Sequence, residues 1–138
     1  MTLKRPEETF VRTTGELSEL WRDLMGADGF DFRSLWVVFL ATSGELCPTV
    51  MPIDDLPDEP DETFLRNLAD IARGILADGL GSVAFLLSRP GPAEMLESDR
   101  RWARELARAL DDELRTWPVH LATRGRVQVF APDDLIAA

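Results

Sequence analysis

The apolar positions of this chain alternate between helical stripes and short compact runs. Leu17, Leu20, Trp21, Leu24 and Met25 recur at helical spacing behind a Thr13-x-x-Glu16 capping box. Residues Glu16–Met25 are therefore predicted to form an amphipathic helix, with Gly26 as its stop. Leu35–Leu40 is short, apolar and β-rich, the pattern of a strand buried on both faces. Ser43-Gly44 signals a turn, and Leu46–Met51 is the partner strand of a hairpin. A proline-broken acidic loop, residues 52–62, leads to a second helix. Asp61 is its N-cap, Phe64, Leu65, Leu68, Ile71, Ala72, Ile75 and Leu76 its apolar face, and Gly79 its end.

Ser82–Leu87 repeats the buried-strand pattern and breaks at Arg89-Pro90-Gly91-Pro92. A third helix is predicted from a Ser98 cap to about Leu114, with Ala103, Leu106, Ala107, Leu110 and Leu114 inward. Trp117–Thr123 and Arg126–Phe130 flank Arg124-Gly125 as a closing hairpin. The order is α-β-β-α-β-α-β-β. Terminal hairpins imply antiparallel pairs, and the β-α-β stretch between them allows a parallel or mixed central pairing. The expected class is α/β, a mixed α+β sheet in an α-β-α sandwich.

Composition narrows the function classes. Among 138 residues there are 25 acidic and 15 basic side chains, a net charge of −10, which argues against general nucleic-acid binding. One cysteine excludes an intrachain disulfide framework, and one histidine excludes every two-histidine metal motif within the chain. No apolar run approaches the ~20 residues of a membrane span. Residues 1–10 lack the apolar core of a signal peptide. Single Cys47 fits a reducing compartment, so a cytoplasmic location without membrane contact is expected.

Three stretches together resemble the RadC-like branch of the JAB/MPN metalloprotease-like domains. Residues 33–45, Arg-Ser-Leu-Trp-Val-Val-Phe-Leu-Ala-Thr-Ser-Gly-Glu, look like that family's opening hairpin. Leu87-Ser-Arg-Pro-Gly-Pro with Ser98-Asp99 stands where the family has its HNHPSG loop and then a Ser and an Asp. Residues 119–130 look like the strand pair that follows. The likeness covers about residues 33–136, which would make residues 1–32 an N-terminal helical extension and 33–138 the RadC-like domain. The family's hydrolytic chemistry needs zinc on two histidines and an aspartate, with a glutamate activating the bound water. Here the histidine positions are Leu87 and Arg89, neither able to ligate, and Asp99 is offset by one residue, with Arg100 in strict register. The resemblance thus implies the family's fold with a degenerate metal site: no catalytic residues, no metal and no cofactor.

The expected function is a non-catalytic, pseudoenzyme-like binding or protein-interaction domain. Its candidate binding residues are Arg89, Asp99, Arg100, Arg104 and Arg108, at the start of the third helix. Arg100, Arg101, Arg104, Arg108 and Arg115 share one arc of that helix, which could take a small anionic ligand or an acidic partner. The bland alternative is a solvated face balanced by Glu105, Asp111 and Asp112. One alternative function is a metal-independent or relocated hydrolase using Asp99, Glu94 or Glu97. Another is a structural dimerisation module.

Self-association could run through the Trp21 helix, or that helix could simply cover its own sheet. Among the other tryptophans, Trp36, Trp102 and Trp117 are core or interface anchors. The acidic residues Asp54, Asp55, Asp58, Glu59, Asp61 and Glu62 fit no calcium-loop spacing and read as a solvated loop, a cation site or a dock for a basic partner. Cys47 is expected to be structural rather than paired with His120 as nucleophile and base, and His120 to be paired near the sheet edge. Ser88 lacks a nucleophile elbow, and Gly79-Leu-Gly81 is too short for a dinucleotide loop.

Overall fold

A computed structural model describes residues 9–25, 32–76, 81–109 and 116–135. Its elements are α1 (Thr14–Met25), β1 (Ser34–Leu40), β2 (Leu46–Ile53), α2 (Glu62–Leu76), β3 (Ser82–Ser88), α3 (Glu97–Ala109), β4 (His120–Thr123) and β5 (Arg126–Val129), closed by a 3-10 turn, Pro132–Leu135. This is the predicted order. The strands form one mixed sheet in the order β2-β1-β3-β4-β5. Pairing is antiparallel throughout except between β3 and β4, which are parallel and joined by the crossover that carries α3.

Strand alternation builds two cores. Leu35, Val37 and Phe39 of β1 join Val83, Phe85 and Leu87 of β3 beneath α2 and α3. Val38, Leu40, Ala84, Leu86 and Ala122 face the other way, against Leu17, Leu20, Trp21 and Met25 of α1. The sandwich is therefore α1, sheet, then α2 with α3. The helix ahead of residue 33 is an integral layer, and Trp21 is fully buried on its own sheet. The Trp21 side chain is thus not exposed for self-association.

Local chemistry sets the boundaries. The Glu16 amide donates to Thr13 Oγ1 at 3.1 Å, while Arg12 N–H and the Thr13 hydroxyl donate to Glu16 Oε1, so the capping box forms. The Ser43-Gly44 turn closes through Gly44 N–H to the Ala41 carbonyl. Gly44 has φ +95°, and a Cβ there would meet the Val11 carbonyl at 2.8 Å. Asp61 caps α2 weakly, accepting Phe64 N–H at 3.4 Å. Ile71, expected inward, is 47% exposed because Leu65, Leu68, Ala69 and Ala72 take the centre of the buried stripe. The predicted ends at Gly26 and Gly79 and the inward residues Leu110 and Leu114 lie outside the described residues.

The N-terminal cap of α3 differs from expectation. The Leu96 amide donates to Asp99 Oδ2 at 2.8 Å, a side chain reaching back from the third helical residue. Ser98 instead accepts from Arg33 Nη2 at 3.0 Å. The helix turns Asp99, Trp102, Ala103 and Leu106 inward, one stripe at i, i+3, i+4, i+7.

Candidate functional site

β3 and β4 are parallel, and the region beyond the carboxyl ends of such strands is where open α/β sheets usually bind ligands. Arg89 follows β3 here, in phase with Leu87 and so on the α3 face. Asp99 meets it from the first turn of α3. Both are buried, at 2% and 1% exposure.

Arg89 Nε lies 2.8 Å from Asp99 Oδ1 and 3.0 Å from Oδ2, and Nη2 lies 2.7 Å from Oδ2. The remaining guanidinium hydrogens reach the backbone of the loop that follows. Nη1 donates to the carbonyls of Pro90 and Pro92, at 3.1 and 2.8 Å, and Nη2 donates to that of Glu94 at 2.8 Å. A guanidinium has five N–H donors, and all are used. The prolines leave the loop with carbonyls to satisfy and few amides to offer, which is the complement an arginine needs. Asp99 also accepts the Leu96 amide, and Arg33 Nη1 stands 3.6 Å from Oδ1. The expectation that Arg89 approaches the helix start is met, but as a buried lock whose guanidinium donors are all spent within the chain.

The other predicted cations spread over the face of α3. Arg100 stands 3.9 Å from Glu97, and Arg108 3.2 Å from Glu105. Arg104 donates Nε–H to the Leu135 carbonyl at 3.1 Å and lies 3.8 Å from Glu97. Arg104 and Arg108 line a shallow hollow of about 210 Å³ with Ala107 and Leu135. Arg101 pairs with Glu59. Arg115, Asp111 and Asp112 lie outside the described residues. The basic arc is thus a neutralised face, close to the bland alternative.

The acidic loop finds part of its basic partner in the same chain. Glu59 meets Arg101, Asp58 stands 3.8 Å from Arg33, and Asp54 accepts the Ser34 hydroxyl at 2.9 Å. Glu94 is exposed, Glu97 is shared between Arg100 and Arg104, and Asp99 is locked, so these carboxylates do not converge. Among the described residues, no three His, Cys, Asp or Glu side chains gather as metal ligands. With Leu87 and a saturated guanidinium in the histidine positions, the residues do not fit the zinc of the resembled family.

The nucleophile candidates separate. Cys47 is on β2 and His120 on β4 with two strands between, on the order of 14 Å. Burial, then Glu45, pushes the Cys47 thiol up, the opposite of activation. Ser88 is buried and accepts the Trp36 indole N–H at 3.0 Å.

His120 has a partner the sequence reading missed. It is fully buried, with Nε2 2.8 Å from Ser18 Oγ on α1 and Nδ1 3.0 Å from the Pro118 carbonyl. The carbonyl only accepts, so Nδ1 carries the proton, and Nε2 shares the single Ser18 hydroxyl proton with the Thr14 carbonyl, which lies 3.1 Å from Ser18 Oγ. Burial lowers the His120 pKa below the usual histidine value; the Pro118 bond opposes this and Arg22 adds to it. The pair bolts α1 to the sheet. The signal was present in Ser18, a polar residue one position from Leu17 on the inner flank of an amphipathic helix.

Compared with known proteins, the chain matches no protein-family model and no curated protein. Among the described residues, no helix is long and apolar enough to cross a membrane.

Proposed function

We propose that this chain is a RadC-like JAB/MPN-type domain in which an arginine–aspartate lock stands where the family holds zinc, and that it acts by binding, without catalysis. The observation that carries this reading is the saturation of Asp99 by Arg89, Leu96 N–H and Arg33. A carboxylate buried against two guanidinium groups and a helix-start amide is a weak metal ligand and a poor general base. The loop 89–96, with Pro90, Gly91, Pro92, Glu94 and Leu96 exposed, becomes the recognition surface for a protein partner. The single free Cys47 fits a reducing, cytoplasmic setting.

Equilibrium dialysis of the full chain against zinc, beside an Asp99→Asn variant, tests this. The two should retain the same small amount of metal. One equivalent held by the wild type and lost in the variant would defeat the reading and restore the relocated-hydrolase alternative.

A further inference from the structure

At the other end of the sheet from Arg89, roughly 20 Å away along β3, a cavity of about 610 Å³ opens. Its size suits a small organic molecule. Four chain segments form its walls, and backbone bonds tie them together. Val11 N–H donates to Gly44 O, Leu46 N–H to Thr9 O, Gly81 N–H to Leu40 O and Trp117 N–H to Val83 O. The cavity is therefore built before any ligand arrives, which reduces the ordering cost of binding.

The walls are rich in donors. Ser82 Oγ accepts the Trp117 indole N–H at 2.8 Å, and Ser43 Oγ accepts the Glu45 amide at 3.3 Å. Each hydroxyl accepts one N–H and keeps its proton to give. Thr42 and Thr116 add two more hydroxyls to the lining. Arg12 stands at the rim with its guanidinium 4.9 Å over the Phe10 ring. Among the described residues, no carboxylate pairs with that guanidinium, because Glu16 is held by the Arg12 and Thr13 cap bonds. Among the described residues of the lining there is no Asp or Glu. The partly buried Trp117 ring supplies a flat apolar wall.

We infer that this cavity is a binding site for a small organic anion, a carboxylate or phosphate monoester on a flat apolar body. The Arg12 fork and the Ser43 and Ser82 hydroxyls take the anionic oxygens, and the body lies along Trp117. The site shares no residue with the Arg89 lock, so its fate is independent of the zinc result.

The test is an NMR titration of the full chain, following backbone amides and the Trp117 indole N–H. The probes are benzoate, phenyl phosphate and neutral benzyl alcohol. At least one anion should give saturable shifts confined to Thr42, Ser43, Gly44 and Trp117, and whichever anion binds tighter identifies the headgroup. Arg12→Gln should weaken that binding about tenfold, while Arg12→Lys keeps most of it. Arg12 is exposed and, among the described residues, makes no ion pair, so neither variant removes a buried contact. Three results would overturn the inference: no saturable shift with either anion, benzyl alcohol binding as well as the anions, or Arg12→Gln binding unchanged.

Discussion

Arg89 closes on Asp99 with Nη2 2.7 Å from Oδ2, and both side chains are almost wholly withdrawn from solvent. Desolvating two charges is costly, and it is sustained only where every hydrogen bond is made. Here every guanidinium hydrogen is bonded, because the loop from Pro90 to Glu94 wraps its carbonyls around the cation. The lock thus orders the loop and fixes the start of α3 in one contact set.

Breaking it from one side strands a charge. Asp99→Ala should destabilise the chain by about 3–5 kcal/mol, measured by urea unfolding. The double variant Arg89→Leu/Asp99→Leu should lose less than Asp99→Ala alone, since no buried charge is left unpaired.

The His120 bolt makes stability pH-dependent with a defined sign. The folded-state pKa lies below the ordinary value of 6.5, so the unfolded chain binds a proton that the folded chain refuses. Its contribution is complete above about pH 6.5 and declines as the pH falls through that value. Thermal melts across this range should show the decline, and His120→Gln should flatten it.

Ser18→Ala leaves the buried Nε2 of His120 without its hydrogen-bond partner. It should cost about 1–3 kcal/mol by denaturant titration, a large effect for a hydroxyl on a helix flank. An unchanged midpoint would mean that α1 is held by its apolar face alone.

Two glycines should respond in opposite directions. Gly74 lies in α2 with open space where a Cβ would be, so Gly74→Ala should stabilise by about 0.5–1 kcal/mol. Gly44→Ala meets the Val11 carbonyl in a left-handed conformation and should destabilise. Paired melting curves check both.

Periodicity made the sandwich legible. Leu17, Leu20 and Trp21 marked α1, the double-faced runs at 35–40 and 82–87 marked the central strands, and Gly44 marked the turn. The polar interior was not legible, because a buried ion pair joins residues whose local sequence reads as surface. Arg89 follows a strand and precedes a Pro-Gly loop, so it reads as exposed. Asp99 holds one retrievable signal, its inward spacing with Trp102, Ala103 and Leu106, and Ser18 another, its place on the inner flank of α1. His120 and Ser18 are 102 positions apart, and no local pattern links them. The cavity at Arg12 was equally hidden, since four distant segments build it.

The most direct test of the central claim follows the Arg89 Nε–H proton by NMR in the full chain, with zinc or phosphate added in turn. The lock predicts a slowly exchanging, strongly shifted resonance that neither addition moves and that Asp99→Asn abolishes. A resonance that exchanges at the rate of a free arginine, or that zinc or phosphate shifts to saturation, would contradict it and return this mouth to the status of an open site.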